Sequence, residues 1–237
     1  MRNLHQATTV VASRLPLAAL KVFALTAGLL CASDVRAGDV KGSVRANEEV
    51  KLKSVEGVRA PYWQEWNGFI DPKKASFDYA REVCAVLIGP QPTKDSVTVV
   101  LKNGTLTPST IVAQVGTTLR IRNEDDFGHE LVVKELKGFD AVETSPGSTR
   151  SIVMEQTGSF VVQDKLAPYV RGHLHVVAKL TQVVNPGSDG SYKFEDVPPG
   201  NYTLKVFRGA KEVSAAEVEV GGKDTEVDTI ALPPAGK

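Results

Sequence analysis

Cysteine, methionine and histidine are scarce in this chain of 237 residues, which has two cysteines, two methionines and four histidines. Cys31 lies in an N-terminal apolar segment, so Cys84 is the only cysteine in the rest of the chain. Without that segment an internal disulfide is excluded, and the core alone has to stabilise the fold. About 200 residues can bury enough apolar surface for this purpose.

A long hydrophobic run is also missing. The longest apolar stretch, Val22–Ala32, is about eleven residues, whereas a membrane-spanning helix needs roughly 20. Basic residues precede it, and Val35-Arg36-Ala37 follows it as a small-residue ending. This order is typical of a secretory signal peptide, predicted here for residues 1–37. We therefore expect a periplasmic or secreted protein without a transmembrane anchor.

Lipid attachment at Cys31 is an alternative at the end of this segment. Leu30 stands before Cys31, where lipid attachment normally requires a small residue, so the sequence favours simple cleavage. Lipidation of Cys31 stays open at this point.

Charge of one sign does not dominate, since 28 basic residues balance 28 acidic ones. This balance gives no electrostatic reason to expect a nucleic-acid partner. The sequence also lacks a Gly-x-Ser-x-Gly elbow and a His-Glu-x-x-His motif. We therefore predict that the protein is not an enzyme.

Short runs of alternating apolar and polar residues, separated by Gly and Pro, fill the chain from Val97 onward. Such runs are typical of strands in an all-β sandwich. The predicted strands include Val97–Leu101, Ile111–Ala113, Leu119–Ile121, Leu131–Val133, Ser151–Val153, Ser159–Val162 and Leu174–Ala178.

The segment between Gly38 and Pro92 has a weaker pattern. Strands are predicted at Val40–Arg45 and Val50–Lys53, and residues 75–87 could form a short helix. An aromatic stretch between them is interpreted as a lid over the sandwich or, alternatively, as an exposed patch that contacts a partner or a glycan. Its members are Tyr62, Trp63, Trp66, Phe69, Phe77 and Tyr79.

The segment Lys102–Pro108, the segment Val115–Asp125 and then His129 resemble the plastocyanin-like cupredoxins. In that family a Pro turn, a Gly-Thr hairpin and an Asn-x-Asp loop lead to the first copper-ligand histidine. The resemblance covers roughly residues 97–180 and implies a Greek-key β-sandwich. It makes His129 the counterpart of that first ligand.

The other family ligands come from one loop with the spacing Cys-x-x-His-x-x-Met. Here Phe160–Gln163 precedes that loop, yet Asp164, Ala167 and Val170 stand at the three ligand positions. A type 1 copper site depends on a thiolate and two imidazoles. We therefore expect no metal and no other cofactor, and electron transfer through type 1 copper is disfavoured.

Four residues are weighed as metal ligands of a different kind of site. His129 and Asp164 could form a type 2 Cu(II) site, and His173 with His175 is a less favoured His-x-His pair. Strand alternation places His173 and His175 on the outer face of the sandwich, packed as neutral imidazoles against a second domain. Cys84 is interpreted as a small buried apolar residue.

The stretch Asp189–Val206, with its Pro-Pro-Gly corner, resembles the carboxypeptidase regulatory-like domain, a small transthyretin-like β-sandwich. The Val-x-Gly-x-Val pattern at Val40–Val44 fits the first strand of such a domain, which implies that the cupredoxin-like domain is inserted within it. Three regions and a tail are therefore predicted after the signal peptide. Residues 38–92 contain the N-terminal strands and the lid, and they could complete the C-terminal sandwich. Residues 93–182 form the cupredoxin-like domain, residues 183–232 form the regulatory-like domain, and residues 233–237 are a tail.

These observations predict an exported, non-enzymatic binding or structural protein whose cupredoxin-like domain has lost its type 1 copper. Its partner would be another protein or a component of the cell envelope. The alternative is a periplasmic cupredoxin that binds copper at a type 2 site or transfers electrons.

Overall fold

In the computed structural model of this protein, residues 37–46 and 77–233 are described. The strand predicted at Val50–Lys53 and the aromatic residues from Tyr62 to Phe69 lie outside the described residues, as does nearly all of the predicted signal peptide. The described part is almost entirely β-structure, which confirms the all-β prediction. It contains no helix that is long and apolar enough to cross a bilayer.

The first sandwich consists of two four-stranded sheets, with the orders β5-β10-β9-β7 and β4-β3-β6-β8. Two of the strand pairs, β5 with β10 and β3 with β6, are parallel. The strands are β3 (Val97–Lys102), β4 (Thr105–Thr107), β5 (Thr110–Gln114), β6 (Thr118–Asn123), β7 (Leu131–Val132), β8 (Thr149–Val153), β9 (Gly158–Asp164) and β10 (Arg171–Val177).

The core of the first sandwich follows from period-two alternation. In β6, for example, Leu119 and Ile121 are buried, whereas Arg120 and Arg122 are exposed. Inward-facing aliphatic side chains of both sheets meet in one cluster, which includes Val99, Leu101, Ile111, Ile121, Val162 and Leu174.

The second sandwich combines strands from both ends of the described chain. Its sheets have the orders β12-β1-β15, with β16 also paired to β1, and β11-β2-β13-β14. The strands are β1 (Gly38–Ala46), β2 (Val83–Ile88), β11 (Gln182–Val184), β12 (Ser191–Val197), β13 (Gly200–Arg208), β14 (Lys211–Val220), β15 (Thr225–Glu226) and β16 (Ile230–Leu232).

The helix predicted for residues 75–87 is wrong over most of its length. Only Tyr79–Glu82 form a helical turn, and the following residues are strand β2. Both faces of β2 are covered, because Val83, Ala85 and Leu87 pack in the core of the second sandwich while Cys84 and Val86 pack towards the first sandwich. A short run that is apolar at every position is consistent with either structure.

The two sandwiches share a small apolar cluster. Cys84 and Val86 of β2 contact Val112 of β5 there, together with Leu180 and Phe207. Next to this cluster a buried hydroxyl links both sandwiches to the helical turn, since Thr110 Oγ1 donates to the carbonyl of Glu82 at 2.7 Å and accepts from the N–H of Gly209 at 2.9 Å. This contact fixes the turn between β13 and β14 against β5.

Candidate functional site

His129 is fully buried and lies in the loop that follows β6. Asn123, the last residue of β6, holds this loop, because its side-chain amide donates to the carbonyls of Phe127 and Thr144 at 2.8 Å each. The main chain of His129 pairs with that of Thr144 as an isolated bridge. These bonds leave the imidazole little freedom to move.

Asp164 ends strand β9 and is also buried. Its Oδ2 accepts a hydrogen bond from Nδ1 of His129. Its Oδ1 accepts from the main-chain N–H groups of Glu130 at 3.1 Å and of Leu166 at 2.8 Å. Asp164 and His129 are therefore bonded directly to each other.

Asp125 occupies the other side of the imidazole, with Oδ2 at 3.1 Å from Nε2 of His129. The Asn103-Gly104 turn between β3 and β4 supplies two more donors to Asp125, the N–H of Asn103 and, at 2.8 Å, the N–H of Gly104. Both turn residues have positive φ, 52° and 66°, as expected for a two-residue hairpin turn. Asp125 is only 8% exposed, although it lies in a polar turn next to the exposed residues Glu124 and Asp126.

The hydrogen-bond partners of Asp125 and Asp164 show how the ring nitrogens of His129 are occupied. In the described part of the chain, every hydrogen bond to these carboxylates comes from a main-chain N–H or from His129. Both ring nitrogens of His129 are therefore occupied by carboxyl groups of the protein, so neither nitrogen is free to bind a metal ion.

The electrostatics of Asp125 are consistent with an ionised carboxyl. Burial alone would raise the pKa of this group. The N–H groups of Gly104 and Asn103 and the imidazole of His129 outweigh burial, so the pKa of Asp125 lies below its ordinary value. Asp125 was not singled out from the sequence, although the spacing Asn123-x-Asp125 and the Asn-Gly turn were both visible.

The loop from Asp164 to Val170 is closed at its base. The N–H of Asp164 donates to the carbonyl of Val170 at 3.3 Å, and the N–H of Val170 donates to the carbonyl of Ala167 at 2.8 Å. Ala167 and Val170 are both buried in the core of the first sandwich. Ala167 and Val170 thus contribute apolar packing and no side-chain donor atom.

The side chains around His129 do not fit a type 1 copper ion. Such an ion needs a thiolate and two imidazoles, and this end of the sandwich offers one doubly bonded imidazole and two carboxylates. Over residues 37–46 and 77–233, no three His, Cys, Asp or Glu side chains are arranged to hold a metal ion.

Cys84 does not supply the missing sulfur. Its side chain packs in the apolar cluster between the sandwiches, whereas His129 contacts Asp125, Asp164 and the ring of Phe127. Burial raises the pKa of the Cys84 thiol to about 12, so the sulfur stays protonated at neutral pH.

His173 and His175 lie on β10, away from His129 and against the second sandwich. His175 Nε2 donates to the carbonyl of Gly209 at 2.7 Å, and Ser159 lies 2.8 Å from Nδ1. The His175 ring also stacks on Phe207, with 4.4 Å between ring centroids. Burial lowers the pKa of both histidines, which favours neutral imidazoles. His175 is thus used for packing between the sandwiches.

Comparison with solved structures gives partial overlaps, of which three are described. Amicyanin from Paracoccus versutus is 17% identical and aligns with a TM-score of 0.32, covering 36% of this chain and 84% of its own. A purple cupredoxin from Nitrosopumilus maritimus is 20% identical, with a TM-score of 0.32 and coverages of 34% and 99%. A copper-containing nitrite reductase from Thermus scotoductus is 25% identical, with a TM-score of 0.33 and coverages of 39% and 27%.

No curated protein matches the chain, whereas one family model does. Residues 81–176 match the sequence model of the family described as cupredoxin-like domain. This range contains strands β2 to β9 and most of β10, together with His129, Asp125 and Asp164. The chain therefore contains a cupredoxin-like domain.

Proposed function

We propose that this protein is an exported, non-enzymatic binding or structural protein whose cupredoxin-like domain no longer holds type 1 copper. The observation that carries the proposal is the bonding of His129, whose two ring nitrogens are both taken by carboxylates. In this proposal the buried ion pairs replace the metal as the element that ties the loop after β6 to the end of β9.

The second sandwich supports a binding role over a catalytic one. We propose that it is a carboxypeptidase regulatory-like, transthyretin-like domain with the cupredoxin-like domain inserted between its strands. Tyr202 of the Pro-Pro-Gly segment is buried, and its hydroxyl donates to the carbonyl of Pro198 at 2.7 Å. β1, which carries the Val-x-Gly-x-Val pattern, lies next to β12. Modules of this kind carry no catalytic residues of their own, and the partner would be a protein or an envelope component.

Metal content and visible absorption test the proposal. The full chain, with its N-terminal segment, is expressed in excess copper, purified and compared with a His129→Ala variant. We expect substoichiometric copper in both proteins and no charge-transfer band. One copper per chain that is lost in His129→Ala would overturn the proposal and establish a copper site that uses His129.

Cell fractionation tests the export part separately. We expect the full chain in the periplasm or the medium, and a variant that lacks residues 1–37 in the cytoplasm. Equal distribution of the two proteins would contradict export and leave the copper result unchanged.

A further inference from the structure

A cleft of about 570 Å³ lies beside the contact between the two sandwiches, separate from the buried His129. Its walls come from the helical turn Tyr79–Glu82, from the turn between β13 and β14, and from the end of the loop that carries Tyr169 and Arg171. A volume of this size suits a small molecule.

Positive charge distinguishes this cleft from the rest of the chain. Four basic side chains line it, Arg81, Arg171, Arg208 and Lys211, against one acidic side chain, Glu82. The whole sequence has equal numbers of basic and acidic residues, so general basicity does not account for the clustering. Glu82 is itself paired with Arg81 at 3.1 Å.

Two of the arginines are held in place by contacts with the chain. Arg208 stacks on the ring of Phe77, with 4.6 Å from its guanidinium carbon to the ring centroid, and donates to the carbonyl of Pro233. Arg171 donates its Nε–H to the carbonyl of Pro168 at 3.3 Å. A side chain fixed in this way loses less conformational entropy when it binds a ligand.

Donor capacity remains for a ligand. Within the described chain, the terminal nitrogens of Arg171 and the ammonium of Lys211 have no protein partner. Tyr169, which is 72% exposed, stands at the same cleft as an aromatic surface. Guanidinium groups bind planar oxyanions through paired N–H donors, and ammonium groups bind them as point charges.

We infer that this cleft is a binding site for a small molecule with phosphate or carboxylate groups. The site deepens the proposed binding function by naming a ligand class. Among the described residues, no lining residue hydrogen-bonds to His129 directly, although the N–H of the lining residue Gly104 donates to Asp125.

Calorimetric titration tests the inference on protein purified from the full chain. The two probes, pyrophosphate and citrate, separate recognition of phosphate from recognition of carboxylate. Each probe is titrated at low and at physiological salt concentration. We expect one probe to bind at one molecule per chain. The double variant Arg171→Gln with Lys211→Gln should weaken its Kd at least tenfold, because exposed residues of the site are removed without disturbing the core.

A matched variant removes the same charge elsewhere. Arg120→Gln with Lys137→Gln changes two exposed basic residues outside the cleft and should leave the Kd unchanged. The inference is overturned if neither probe binds at millimolar concentration, or if both double variants weaken binding equally. Copper content is not measured in this titration, so failure of the cleft leaves the proposal for His129 standing.

Discussion

Asp164 Oδ2 accepts a hydrogen bond from Nδ1 of His129, although the two residues are separated by 35 positions in the chain. The contact joins the end of β9 to the loop after β6, which are the two segments that hold the copper ligands in the family this domain resembles. Asp125 completes the arrangement from the opposite side of the ring. One end of the sandwich is therefore linked by hydrogen bonds between a buried imidazole and two carboxyl groups.

Replacing Asp164 with Asn should destabilise the fold strongly. The change replaces a carboxyl oxygen bonded to the buried imidazole of His129 with an amide, and breaking a buried pair of this kind costs about 3 to 5 kcal/mol. Denaturant unfolding followed by far-UV circular dichroism measures the loss. The matched control is Asp126→Asn, at the exposed residue that follows Asp125 in the chain. This change should alter stability by less than about 0.5 kcal/mol. Equal effects of the two changes would contradict the ion-pair assignment.

The triple variant Asp164→Cys, Ala167→His and Val170→Met should acquire copper. These changes supply the thiolate, the second imidazole and the thioether with the family's spacing, and they free Nδ1 of His129. Asp125 stays in place as a hydrogen-bond partner of Nε2, the usual support for a metal-bound histidine. The check is a visible charge-transfer band with one copper per chain.

A companion variant isolates the role of sulfur in that band. With Ser at position 164 in place of Cys, and the other two changes kept, the band should be absent. A triple variant that folds, as judged by circular dichroism, and remains colourless would show that the loop geometry is unsuited to copper.

Stability should fall as the pH drops below about 6.5 through His175. Its pKa is lowered first by burial, with a further contribution from nearby His173, while the bond to Gly209 and nearby Glu212 oppose the shift. The unfolded chain then binds a proton that the native imidazole does not, so stability is complete above 6.5 and declines below that pH. Urea unfolding at pH 7.5 and pH 5.5 should show that the free energy of unfolding declines less in His175→Gln than in the unchanged protein. An identical decline in both proteins would refute the assignment.

Thr110→Val should weaken the contact between the two sandwiches. The substitution preserves shape but leaves the carbonyl of Glu82 and the N–H of Gly209 without their partner, at a cost of about 1 to 3 kcal/mol. Thr110→Ser keeps the hydroxyl and should lose less stability than Thr110→Val. Thermal unfolding of the three proteins decides the matter, and equal loss in both variants would point to the methyl group instead of the hydroxyl.

Most strands could be predicted because their two faces differ. In β6, buried Leu119 and Ile121 alternate with exposed arginines, and the sequence shows that period directly. β2 has no such contrast, because the second core covers one face and the contact with the first sandwich covers the other. The interpretation of residues 83–87 as helix therefore failed for a tertiary reason that no local pattern records.

The location of the site could be predicted from the sequence, but the hydrogen bonds within it could not. The frame of the ligand loop indicated that His129 and Asp164 belong to the same end of the sandwich. It could not indicate that Asp125 turns inward, because an acidic residue in a polar turn is usually solvated. Only the donors of the Asn103-Gly104 turn, which arrive from another hairpin, make its burial favourable.

The position of β2 and β11 constrains the order of events during folding. These strands are neighbours in one sheet, yet the whole first sandwich separates them in sequence. Bringing together the ends of a disordered loop of roughly ninety residues is entropically costly, whereas a folded insert holds its ends in place. The second sandwich should therefore close only after the first has formed. A fragment that starts at Gln182 would lack both β1 and β2 and would expose an edge of β13 to pairing with another chain.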